Sequence, residues 1–323
     1  MALEWRCIDP HVHCRDWGEA YKSTIREVAE LARRQGVVAI LDMPNTVPPI
    51  TSLELAERRL ETARREGVES GYYLYLAATP DERQLEEAVD AAKKLRRVVG
   101  FKMYTAPMKG LEARDVESQR LVYRRLSELG YGGVIAVHCE KASLFREDLW
   151  DPSHPWTWSL CRPPEAESES VKDQISLAIE AGFSGTLYFV HISNPASLDH
   201  VKEARERGLR VVCGVTPHHL MLSVEDMAGP GGIALKVNPP LREKGLAKGL
   251  LERVRNDEVD FLETDHAPHA PWEKYGPPYL SGIRSLESYS RCVRWLLENS
   301  VSDKILWKMT YGNAKRVFPM VEE

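Results

Sequence analysis

No apolar run in this chain is long enough to cross a bilayer. The longest, such as Val37 to Leu41, fall far short of the roughly 20 residues a spanning helix requires, so no membrane partner is expected. Cysteine is sparse and unpaired: the six residues occur singly, without Cys-x-x-Cys spacing, and the N-terminus lacks the basic-then-apolar pattern of a signal peptide. A reducing cytoplasm is the expected compartment. An excess of basic charge is also missing, with 43 Lys plus Arg against 48 Asp plus Glu, and the basic residues are scattered along helical stretches. That balance gives no footprint for a nucleic-acid partner.

What the chain has is alternation. Short β-branched or aromatic runs occur at 5–9, 37–42, 72–77, 98–102, 134–138, 187–191, 209–215 and 259–264. Charged stretches with helical periodicity lie between them, for example 52–66, 81–95, 116–129, 170–181, 196–207 and 245–255, and a further helix is expected at 303–318. Gly36, Gly67, Gly130, Gly182 and Gly208 each stand just before a strand, where a helix-terminating glycine belongs. Eight strands alternating with helices over 323 residues predict parallel strands with crossover helices, an α/β (β/α)8 TIM barrel forming one domain over 1–323. The segment 143–168, rich in Trp and Pro and without periodicity, is expected as a long loop that roofs the site or forms a subunit contact.

Barrel enzymes do their chemistry at the C-terminal ends of strands. His11 and His13 follow the first strand, Lys102 ends the fourth, His138 the fifth and His191 the sixth, and Asp265 follows the eighth. In an extended chain Asp9, His11, His13 and Arg15 share one face, and two imidazoles two residues apart suit a single divalent ion. Taken alone, His-x-His equally describes two buried, hydrogen-bonded histidines, and a strand-end lysine is usually an ion-pair partner. Six such groups converging on one barrel mouth instead point to a metal-dependent hydrolase.

The motifs Asp9-Pro-His-Val-His-Cys-Arg15, Asp42-Met-Pro-Asn-Thr46, Gly100-Phe-Lys-Met-Tyr104, Val137-His-Cys-Glu140, Val190-His-Ile-Ser193, Thr216-Pro-His-His-Leu220, Lys236-Val-Asn-Pro-Pro-Leu-Arg242 and Glu263-Thr-Asp-His-Ala-Pro-His269 resemble those of dihydroorotase, in the amidohydrolase superfamily. The resemblance implies that His11, His13 and Asp265 bind one Zn2+ and His138 and His191 a second. Lys102, as N6-carboxylysine, and a hydroxide would bridge the two. It further implies interconversion of N-carbamoyl-L-aspartate and L-dihydroorotate in pyrimidine biosynthesis, with Asp265 as the catalytic acid and base. Arg15, Asn45 and His269 would hold the substrate carboxylate, and Asn238 and the backbone at Gly282 the ring.

Other assignments remain open. A hydantoinase or allantoinase would use the same metals, although its substrates lack the carboxylate that Arg15 would grip. A silent scaffold subunit for aspartate transcarbamoylase would be expected to have lost ligands, and a homodimer and a transcarbamoylase partner are both compatible with the charged helices. Cys14 and Cys139 are expected in the core, and His218 and His219 in supporting roles. The chain resembles the compact members of the family, without an appreciable β-sandwich domain. Thr105 is the only threonine in the segment 105–110, where relatives close on substrate through threonines.

Overall fold

The computed structural model describes residues 6–322. Its strands are β1 (Cys7–Val12), β2 (Val37–Asp42), β3 (Tyr72–Ala77), β4 (Val98–Tyr104), β5 (Val134–His138), β6 (Thr186–Phe189), β7 (Val211–Val215) and β8 (Phe261–Leu262). Each pairs in parallel with the next, in the order β1 to β8. The ring is nearly closed, and backbone bonds join the segment after β8 to the end of β1, Asp265 N to His11 O at 3.0 Å and His13 N to His266 O at 2.9 Å. The TIM barrel read from the alternation is present, and no β-sandwich occurs among the described residues. No helix among them is long and apolar enough to cross a membrane.

Strand alternation divides the core in two. In β3, Tyr73 and Tyr75 point into the barrel with Leu41, Tyr188 and Phe261, while Tyr72, Leu74 and Leu76 face the surrounding helices. Phe318, on the chain's last turn, packs against Tyr75, Tyr188 and Phe261 and plugs the lower end. The helices start where local chemistry allows. Thr24 and Glu27 form a capping box before Ile25–Arg34, and Asp81 and Asp115 accept first-turn amides of Glu82–Lys94 and Val116–Glu128. Gly67 and Gly130, at φ 72° and 66°, end their helices in the left-handed conformation.

Several boundaries differ from the sequence reading. Trp5, the expected start of the first strand, lies outside the described residues. His11 lies within β1 rather than after it, and β1 stops at Val12, so the shared-face argument does not extend to His13 and Arg15. Arg15 takes a left-handed φ of 59°, and Asp9 turns to Thr264 instead of the mouth. β6 and β8 end early: Val190 N and Glu263 N still bond Val137 O and Val215 O, but one residue further on buried carboxylates take the amides, Glu263 from His191 N and Asp9 from Thr264 N. The segment 143–168 is not structureless. It holds 3-10 turns at Ala142–Leu144, Glu147–Leu149 and Pro155–Thr157 and a short helix Trp158–Cys161, and its last residues open the helix Pro164–Glu180. That helix buries Glu167, Ser168 and Ser170 in its first turns and Val171, Ile175 and Ala178 further on, so only its later part, from 170, showed a period in the sequence. The stretch 303–318 is likewise two short helices, Asp303–Trp307 and Asn313–Val317, separated by a π turn.

Candidate functional site

A cavity of about 370 Å3 opens at the C-terminal ends of the strands and is lined by His11, His13, Lys102, His138, His191 and Asp265. Arg15, Asn45, Asn238, His269 and Gly282 line it too, so every residue proposed from the sequence reaches one space. A larger cleft, about 730 Å3, lies among the strand starts at the other end, beside Arg205, Arg210 and Arg316. It contains none of the groups converging on the mouth.

Two groups of donor side chains meet at the mouth. Asp265 Oδ1 lies 3.2 Å from His11 Nε2 and 2.9 Å from His13 Nε2, and the three residues can converge on one ion. His13 Nδ1 faces Asn45 Oδ1 at 2.7 Å, so it carries the proton and leaves Nε2 as a lone pair. His138 does the reverse: Nε2 donates to Glu140 at 2.8 Å, which turns the Nδ1 lone pair toward His191 Nε2 at 3.0 Å. His191 and Asp265, at φ 43° and 47°, hold left-handed backbone that only a well-determined surrounding maintains.

The donor set fits a pair of metal ions. Lys102 Nζ and His191 Nδ1 are buried without a hydrogen-bond partner, and burial brings the Lys102 amine down to about 8. Burial, with Lys102 and the other imidazoles as like charges, also holds His11 and His191 well below the ordinary histidine value. Neutral imidazoles and an accessible neutral amine are the forms that ligation and carbamate formation require. An unpartnered buried amine is costly, and carbamylation of Lys102 against bound cations would satisfy it.

Acids that the sequence reading passed over hold these ligands. Glu140 is fully buried between His138 and Arg162, whose Nε donates at 2.9 Å. Burial alone would raise its carboxyl, but Arg162 and His138 bring it to about 2. Glu263 accepts from His191 N and lies 3.4 Å from His11 Nδ1. Glu167 accepts from Ser193 N at 2.9 Å and Asn194 N at 3.0 Å, fixing the turn after His191. Glu140 and Glu263 stand inside the quoted motifs, two residues from His138 and Asp265, and that spacing was the available signal.

The wall formed by Arg15, His269 and Asn238 is built differently. Arg15 Nε donates to Pro268 O at 3.1 Å and Nη2 lies 3.2 Å from His269 Nε2, which leaves the Nη1 edge toward the cavity. His269 Nε2 also lies 3.0 Å from the Ser281 carbonyl, so it donates there in one tautomer and accepts from Arg15 in the other. Asn238 Oδ1 accepts from Trp158 Nε1 at 2.9 Å, and Lys236 Nζ sits 3.8 Å from the Trp158 ring centre, so the 143–168 segment forms part of this wall. The Gly282 amide is already spent on Lys236 O at 2.9 Å. A Cβ at Gly282 would come within 2.5 Å of Ala267 O, and the φ of 152° suits glycine alone. Thr105 is buried with its hydroxyl on the carbonyls of His138 and Glu140, which ties it to the barrel instead of the substrate. Cys14 and Cys139 lie in the outer core. His219 bonds Thr216 and Pro239 O, while both ring nitrogens of buried His218 are unpartnered.

Curated proteins similar to this chain are dihydroorotases. A dihydroorotase of Aeropyrum pernix is 34% identical over 85% of this chain, one of Listeria welshimeri 34% over 87%, and one of Methanothermobacter thermautotrophicus 31% over 87%. The chain is a relative of the dihydroorotases. It spans about three fifths of those relatives, 59%, 64% and 61% of their lengths. No protein-family model matches it. Among solved structures, the L-hydantoinase (dihydropyrimidinase) of Arthrobacter aurescens superposes with a TM-score of 0.83 at 24% identity, over 97% of this chain and 70% of that one. The D-hydantoinase of a Bacillus species, AR9, gives 0.80 at 26%, over 97% and 72%. The chain is thus similar to dihydroorotases in sequence and to hydantoinases in fold.

Proposed function

We propose that this chain interconverts N-carbamoyl-L-aspartate and L-dihydroorotate, the ring-closing step of pyrimidine biosynthesis, as a two-zinc enzyme. The observation that carries the reading is the pairing of two reading elements in one cavity: a ligand cluster around the unpartnered Lys102 amine, and Arg15 with His269 on the facing wall. His11, His13 and Asp265 would hold one ion, His138 and His191 the other, and carbamylated Lys102 would bridge them. The ions, when bound, supply a nucleophile at neutral pH and polarise the carbonyl under attack.

The remaining work falls to the chain's own groups. Arg15 and the Asn45 amide bind the free carboxylate and thereby fix which face of the substrate meets the ligand cluster. Asn238 Nδ2, with Oδ1 held by Trp158, is the donor left for the ring, beside the Gly282 carbonyl. Asp265 moves the proton between the ring nitrogen and the site. Hydantoins lack the ring carboxylate, which argues for dihydroorotate over the hydantoinase alternative. Six buried, unpaired cysteines suit a reducing cytoplasm. A homodimer and an aspartate transcarbamoylase complex belong to the same proposal, with exposed Tyr21, Trp272 and Tyr275 at the rim as available contacts.

The test is the rate at which zinc-loaded, bicarbonate-treated protein cyclises N-carbamoyl-L-aspartate, with Lys102→Ala as control. Cyclisation lost in the variant supports the reading. Turnover of hydantoins alone would replace it with the hydantoinase assignment, and a protein that takes up no zinc would favour a silent scaffold.

A further inference from the structure

At the cavity rim Arg15 and His269 are linked through charges that have no part in the proposed reaction. Arg15, Asp16 and Trp17 are three successive left-handed residues that bend the backbone and return buried Glu19 to Arg15. Glu19 Oε1 accepts from Lys22 Nζ at 2.8 Å and from Lys109 Nζ at 2.6 Å. Its Oε2 has no hydrogen-bond partner and stands 3.9 Å from Arg15 Nη1. Lys22 also reaches Glu273 Oε1 at 3.2 Å, and Glu273 Oε2 lies 3.7 Å from His269 Nδ1. One acid thus faces three cations, and two lysines grip it by the oxygen remote from the arginine.

We infer that Lys109 and Lys22 hold Glu19 off Arg15, so that Nη1 stays open to the substrate's free carboxylate, and that the Lys109–Glu19 pair pins the 105–110 loop beside the cavity. Met108 and Lys109 line the cavity, and Thr105, locked to the barrel, cannot supply that contact. Without Lys109, a short rotation of Glu19 completes its ion pair with Arg15, and an incoming carboxylate must displace an internal one. Lys109 and Glu19 are therefore positioning residues. The inference rests on Arg15 reading the substrate carboxylate.

The test compares wild type, Lys109→Met, Lys109→Arg and Lys109→Met with Glu19→Gln. It measures KM and kcat for cyclisation, calorimetric binding of L-dihydroorotate, and amide exchange over 106–111. Lys109→Met is expected to weaken KM and Kd about tenfold, with kcat changing much less and loop exchange faster. Lys109→Arg restores wild-type values, and the double variant recovers most of the affinity, because a neutral glutamine does not compete for Arg15. Unchanged KM in Lys109→Met, or a double variant that binds no better than the single one, overturns the inference. Glu19→Gln leaves Lys22 less well paired and can fail to fold, in which case the Lys109→Met and Lys109→Arg comparison decides alone. A wild type that neither turns over nor binds these compounds overturns the functional reading, and the inference with it. A wild type that binds them while the variants match it overturns the inference only.

Discussion

Replacing Glu140 by Gln should damage stability and metal binding for separate reasons, and the two can be measured apart. Glu140 is fully buried and makes a two-point contact with Arg162, itself 6% exposed, while also accepting from His138 Nε2. A carboxyl carried from 4.5 in the unfolded chain to about 2 in the fold corresponds to roughly 3 kcal/mol at neutral pH. Removing one partner of a buried pair gives a similar figure, about 3–5 kcal/mol, because the other charge is left unpaired. Denaturant unfolding of metal-free protein should show that loss. Since the folded value is depressed, the contribution is complete above pH 4.5 and fades as pH falls toward 2; wild type should lose it across that window and Glu140→Gln should not. Adding Arg162→Met to Glu140→Gln removes the stranded charge and should recover most of the stability. Zinc affinity, measured against a chelator, should fall about 10-fold in both variants, because the neutral amide oxygen is a weaker acceptor for His138 Nε2 than the carboxylate it replaces. A double variant that regained full zinc affinity, or a single one destabilised by less than about 1 kcal/mol, would refute the reasoning.

Further outcomes follow from other positions. Arg15→Met should raise KM about 10- to 100-fold with zinc content unchanged, and loss of zinc would remove Arg15 from the carboxylate role. Gly214→Ala places a Cβ within 2.1 Å of Glu263 Oε2, so it should displace the carboxylate that holds His191 N. The expected cost is about 1–3 kcal/mol in denaturation together with weaker zinc binding, and a neutral result would show that Glu263 is free to move. Phe318→Ala empties the lower plug of the barrel and should cost about 3–5 kcal/mol, read from the shift in the unfolding midpoint, while KM stays near wild type because the mouth is at the other end.

The sequence by itself determined the barrel and its mouth. Strand and helix periods are local properties, set by the alternation of side chains in β3 or the capping oxygens of Asp81 and Asp115, and a parallel barrel brings strand ends together whatever the loops do. That is why His11, Lys102, His138 and Asp265 could be placed in one space from spacing alone. The tertiary structure decided the buried charges. β6 and β8 stop where Glu263 and Asp9 take backbone amides from distant segments, and the helix from Pro164 presents Glu167 to a turn 26 residues away. Such contacts have no period, because each depends on which remote amide or guanidinium compensates one acid for its lost water. The same holds for Glu19, whose grip by Lys109 joins residues 90 apart and is invisible until the chain is folded.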